Sequence, residues 1–154
     1  MSAGPRRSEK LLLVVVGISL LHHLDHVLRV DHSGWPFVAR VSPFTYSLLA
    51  YPLLISIFAA RSAPWYRVFG TGALLLFATL AHIFFEPLRD KFHTWAYGSD
   101  LPGHVGESNL LHYHSCVLGV CSVGLAILLS VGLLLALLAF LHDAKQHRAA
   151  RFTS

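Results

Sequence analysis

His22, His23, Asp25 and His26 fall within five consecutive positions, Arg29 follows one turn later, and His82 and Glu86 stand four residues apart further along the chain. Imidazole and carboxylate are the donors that suit zinc, iron or copper, and facing helices can close such groups around one ion. With His22 taken as zero, helical rotation puts His26 at about +40°, Arg29 at about −20° and Asp25 at about −60°, but His23 at about +100°. His22, Asp25, His26 and Arg29 therefore share a side, and His23 joins them only at its edge or turns to a neighbouring helix. A third wall comes from the small and polar stripe Asn109, His112, Ser115, Cys116, Gly119 and Ser122, a surface that permits close helix contact and turns His112 inward. The expected transition-metal ligands are His22, His26, His82, Glu86 and His112, with His23 as a sixth. Asp25 and Glu86 are the carboxylates placed to orient an imidazole or act as a base, and a vacant coordination position would make the centre catalytic.

Two other chemistries use the same groups. Haem b between a histidine of the first span and one of a later span would use Arg29 or Arg89 to meet its propionates, and it leaves Asp25 and Glu86 without a task. A proton or cation path would need polar groups across the whole membrane. The inner halves of the spans, Leu11 to Leu20 and Val68 to Leu80, offer little beyond Ser19, Thr71 and Thr79. Taken singly, a histidine in such a span is more often a helix–helix hydrogen-bond partner than a ligand; the cluster is what points to function, because ionisable groups at membrane depth are costly. The His-His-x-x-His pattern at 22–26 is similar, over five residues, to the histidine boxes of membrane di-iron desaturases and hydroxylases. Those chains are longer and repeat the box, so the pattern assigns no family. The chain contains no Ser/His/Asp arrangement, phosphate-binding glycine loop or HExxH motif.

The elements that must position these groups follow from composition. Of 154 residues, 55% are hydrophobic and 13% charged, half the charge of an ordinary soluble domain. The chain therefore reads as an all-α, polytopic integral membrane protein whose partner is the lipid bilayer. The net charge of +4 could suggest nucleic acid, but the basic residues are scattered at the ends of apolar runs, so no nucleic-acid partner is expected. Four transmembrane helices are expected at about 11–30, 44–60, 68–86 and 110–141, each near the ~20 residues that cross the hydrocarbon. A cytoplasmic N-tail (1–10), an outer loop (87–109) and a cytoplasmic C-tail (142–154) complete the layout.

Orientation follows from lysine and arginine. Arg6, Arg7, Lys10, Arg61, Arg67, Lys145, Arg148 and Arg151 fall on one side, and Arg29, Arg40, Arg89 and Lys91 on the other, which places both termini in the cytoplasm of a cell-membrane protein. Trp65 and Tyr66 would sit at the inner interface, Trp35, Trp95 and Tyr97 at the outer one. Nine of the eleven histidines then lie at or outside mid-membrane, leaving His142 and His147 inside. The first apolar run follows basic residues as a signal peptide would, but His22, His23 and Asp25 occupy the place of a cleavage site, so it reads as a retained span. A connection as long as 87–109 is uncommon unless it has a task, and it lies where it can cover the histidines. Cys116 and Cys121 turn about 140° apart on a helix, which argues against a disulfide. A lipid-soluble small molecule is the substrate class such a site would meet, in an oxidative or hydrolytic reaction, and the small-residue stripe offers a surface for a homo-oligomer.

Overall fold

The computed structural model describes residues 6–29 and 43–152, and these are helical with no strand among them. The order is α1 (Arg7–Leu28), α2 (Pro43–Ser47), α3 (Ala50–Ala59), α4 (Pro64–Phe84), α5 (Leu88–Ala96) and α6 (Cys116–Phe152). Three of them, α1, α4 and α6, are long and apolar enough to cross a membrane. His32, Trp35 and Arg40, expected in an outer loop, lie outside the described residues.

The second expected span differs from the other three. Apolar helix runs only from Thr45 to Ala59, about 22 Å at 1.5 Å per residue against ~30 Å of hydrocarbon, and it is broken at Leu48–Leu49. Pro52 is the reason: it has no N–H for the Leu48 carbonyl four residues back, and its ring crowds that carbonyl. The turn there closes instead through Leu49 N–H to Tyr46 O (3.0 Å) and Tyr51 N–H to Leu48 O (3.2 Å). The third span also ends earlier than expected. α4 starts with Pro64 at its first position, where a missing N–H costs nothing, and stops at Phe84, so Glu86 and Arg89 are not in line on one helix. Pro87, in extended conformation, caps the start of α5.

At one end of the bundle Ser8 Oγ donates to Asp143 (2.6 Å), and Glu9 accepts from Arg67 (3.1 Å) and Arg61 (3.3 Å). The start of α1, the start of α4 and the late part of α6 therefore meet at the same end. Between there and the histidines the core is Leu12, Val15, Leu54, Ile57, Leu74, Leu129 and Leu133. In lipid such a core is held by packing rather than by exclusion of water, so close approach matters. A Cβ on Gly70 would stand 3.0 Å from Ile57 Cγ1, and one on Gly132 3.0 Å from Val15 Cγ2.

The expected outer loop is ordered. α5 packs along α6 with Gly119 beneath Phe92: a Cβ there would lie 2.8 Å from the Phe92 carbonyl oxygen. Asn109, fully buried, donates to Tyr113 O (2.9 Å) and accepts from Leu111 N–H (3.1 Å), and Leu110 N–H donates to Leu28 O (2.8 Å) at the end of α1. Gly98, at φ +101°, takes a backbone conformation that other residues rarely adopt, and a Cβ would meet Gly106 O at 3.0 Å. These bonds draw the segment down over the end of α1 that carries the histidines.

Candidate functional site

Asp25, one turn before the end of α1, has both oxygens filled. Oδ1 accepts from Trp95 Nε1–H (2.8 Å); Oδ2 accepts from Ser122 Oγ–H (2.7 Å) and Arg29 Nε–H (3.0 Å). Arg29, fully buried, bridges to Glu86 through Nη1 and Oε1 (2.5 Å), and Lys91 Nζ, also fully buried, donates to Glu86 Oε2 (2.6 Å). Two carboxylates and two cations thus form a charge-balanced quartet drawn from the end of α1, the segment after α4, and α5, with Ser122 reaching in from α6. Burial pushes the Lys91 ammonium down to about 8; Arg29 acts in the same direction and Glu86 against it.

The imidazoles adjoin this quartet. His26 Nε2 is 3.2 Å from Glu86 Oε2 and 3.1 Å from His22 Nε2. The His82 ring meets that of His22 edge-on, centroids 4.9 Å apart. His22 Nδ1 and His82 Nδ1 are buried without a hydrogen-bond partner among the described residues. Three helical turns from α1 and α4, with more than fifty positions between His26 and His82, therefore aim imidazoles at one place.

Other expected members stand elsewhere. His23 turns to the neighbouring helices, with Nε2 2.9 Å from Ser47 Oγ and Nδ1 2.8 Å from the Tyr51 hydroxyl, so the hydroxyls of the second apolar stretch serve His23. α6 begins at Cys116, and His112 lies before it, exposed, with φ +49°. Asn109 turns out of solvent in that segment, and His112 and His114 do not. Arg89 is 75% exposed in its side chain and pairs with Asp100 (2.6 Å), while Arg29, the other expected propionate partner, is enclosed between Asp25 and Glu86. His93 and His104 face Asp100 and Glu107. Cys116 and Cys121 are free thiols, as expected.

Sequence reasoning missed Lys91 as a site residue and put Trp95 at the membrane interface; Trp95 is 3% exposed and holds Asp25. The signal was present in the spacing of Lys91, Thr94, Trp95 and Gly98, all buried, which marks one inward face of a short amphipathic helix within the loop.

Chemically, the quartet needs nothing more: each carboxylate has its cation. The imidazoles are different, since nitrogen lone pairs and N–H groups gather there with two ring nitrogens unpartnered. Among the described residues no three His, Cys, Asp or Glu side chains already stand ready to hold a metal ion. The chain matches no protein family, no curated protein and no solved structure.

Proposed function

We propose that this is a multi-pass membrane protein whose His22, His26 and His82 side chains bind one transition-metal ion, with Glu86 Oε2 as the adjoining oxygen. The observation that carries the reading is the 3.1 Å between His22 Nε2 and His26 Nε2. Two nitrogens each ~2.0–2.1 Å from a shared ion stand about 3 Å apart, so one turn of α1 supplies a chelating pair. The buried, unpartnered His82 Nδ1 supports a third donor: leaving it unbonded costs about 1–3 kcal/mol, which a ligand bond would offset after rotation of that ring.

The quartet bears on which ion state is held. Its charges already cancel, so a divalent ion on neutral imidazoles leaves the buried site positive and favours an anionic ligand at the open position. Oxidative or hydrolytic chemistry on a lipid-soluble substrate is what an ion with such a position would supply. In this reading Asp25 acts through Arg29, Trp95 and Ser122 as a positioning residue, and of the expected ligands His112 and His23 drop out while His22, His26, His82 and Glu86 stay. Both termini face the cytoplasm by the arginine and lysine balance, with the site toward the outer face.

Haem fares less well. His22 and His82 rings at 4.9 Å, edge to face, leave no gap for a porphyrin between them. A proton path across the membrane meets the Leu12, Val15, Leu74 and Leu133 layer below His22.

Elemental analysis and a visible spectrum of the protein purified in detergent test the proposal. Near one zinc, iron or copper per chain, lost in His22→Ala and His26→Ala and kept in His112→Ala, is the expected result. A Soret band, or a metal content that His22→Ala leaves unchanged, contradicts it.

A further inference from the structure

At the end of the bundle opposite the histidines, a groove of about 150 Å³ opens between the start of α4 and the late part of α6, lined by Ser62, Pro64, Trp65, Ala144, His147 and Arg148. Positions 144, 147 and 148 are spaced i, i+3 and i+4, so one face of α6 supplies them. Ala144, 1% exposed, leaves the space by its small side chain and forms the floor. The nearest described carboxylates at this end are engaged elsewhere: Glu9 is held by Arg61 and Arg67, and Asp143 accepts from Ser8.

Its height is set by the helices. Pro64 begins the apolar run of α4, and Leu141 is the last leucine of α6, so the groove lies where the apolar length of both helices ends. Trp65 stands there 38% exposed, the position an indole takes at the headgroup level of a bilayer. Further along α6, Leu135 and Leu138 present exposed apolar surface.

We infer that this groove holds the phosphate headgroup of an anionic phospholipid. Arg148 and His147 supply N–H donors to phosphate oxygens, Ser62 supplies a hydroxyl, and Trp65 lies against the glycerol region while the acyl chains follow the apolar helix surface. Guanidinium is suited to this task because its planar fork matches phosphate oxygens in pairs. The inference uses none of the residues of the metal proposal, and either can fail alone.

Native mass spectrometry of the detergent-purified chain, titrated separately with phosphatidylglycerol, phosphatidylcholine and inorganic phosphate, tests it. Phosphatidylglycerol is retained in preference to phosphatidylcholine. Retention falls roughly tenfold or more in a His147→Gln/Arg148→Gln variant, as expected for one or two lost charge-assisted hydrogen bonds, and is kept in Lys145→Gln, whose side chain is outside the groove. Equal retention of the two lipids, or undiminished phosphatidylglycerol on the double variant, overturns the inference. So does binding of inorganic phosphate with no preference among lipids. The substituted side chains are at the surface, so thermal unfolding of the double variant at the wild-type temperature certifies that lost retention is not lost folding.

Discussion

At the scale of residues, what distinguishes this chain is that its buried charges are paired before any ligand arrives. Asp25 has Arg29, Trp95 and Ser122 on its two oxygens. Asp25→Asn keeps the shape but removes the charge that balances Arg29, and breaking a buried pair costs about 3–5 kcal/mol. Thermal unfolding in detergent should show a large loss for Asp25→Asn and almost none for Glu107→Gln, whose ion pair with His104 is exposed. Lys91 carries a pH dependence. Burial holds it down to about 8 from 10.5, so between those values the unfolded chain keeps a proton that the folded chain has released. The Lys91 contribution to stability therefore rises as pH goes from 8 toward 10.5 and is lost as pH falls through about 8. Melting curves at pH 7.5 and 9.5 check this: the wild-type protein gains more over that interval than Lys91→Met, and equal gains would contradict the sign. From the sequence, the shared face of His22, Asp25, His26 and Arg29 was legible, because it needs only the helical angle. The partners of Asp25 were not: Trp95 and Ser122 are seventy or more positions away, and nothing local to them marks a carboxylate as their acceptor.

At the scale of elements, α5 makes the site what it is. It delivers Lys91 and Trp95, and its seat is Gly119 on α6. In a helix interior, glycine to alanine ordinarily gains up to about 1 kcal/mol. Gly124→Ala, with open space around its Cβ, should follow that rule and raise the melting temperature. Gly119→Ala should instead lower it, because a Cβ 2.8 Å from the Phe92 backbone oxygen pushes α5 away, and overpacking of this kind costs about 1–3 kcal/mol. Trp95 fluorescence should shift in the second variant and not the first. The long helices were readable from their apolar runs; that the 87–109 connection reaches Asp25 and Glu86 through Trp95 and Lys91 was not. Two boundaries misled for the same reason, proline. Pro52 breaks the second apolar stretch and Pro87 ends the third, and hydropathy alone cannot say whether a helix bends through a proline or stops at it.

At the scale of the whole molecule, polar groups are divided into two ends with an apolar layer between. One end holds the Asp25–Arg29–Glu86–Lys91 quartet and the imidazoles; the other holds Glu9, Arg61 and Arg67, with the Arg67 guanidinium 4.4 Å over the Phe140 ring. Ser8 and Asp143 meet at that same end, so the start of α1 and the late part of α6 stand together there, with three long helices and a short broken stretch between them. The division was visible in the sequence as an asymmetry of histidines and of arginines. The pairing across helices was not, since it depends on the α5 cover closing over α1. The most direct measurement is X-ray absorption at the edge of the metal bound to the purified protein. The account predicts a first shell dominated by imidazole nitrogens, reduced by one in His82→Ala and abolished with the metal itself in the His22→Ala/His26→Ala variant. A shell without imidazole, or one that those substitutions leave unchanged, would contradict it.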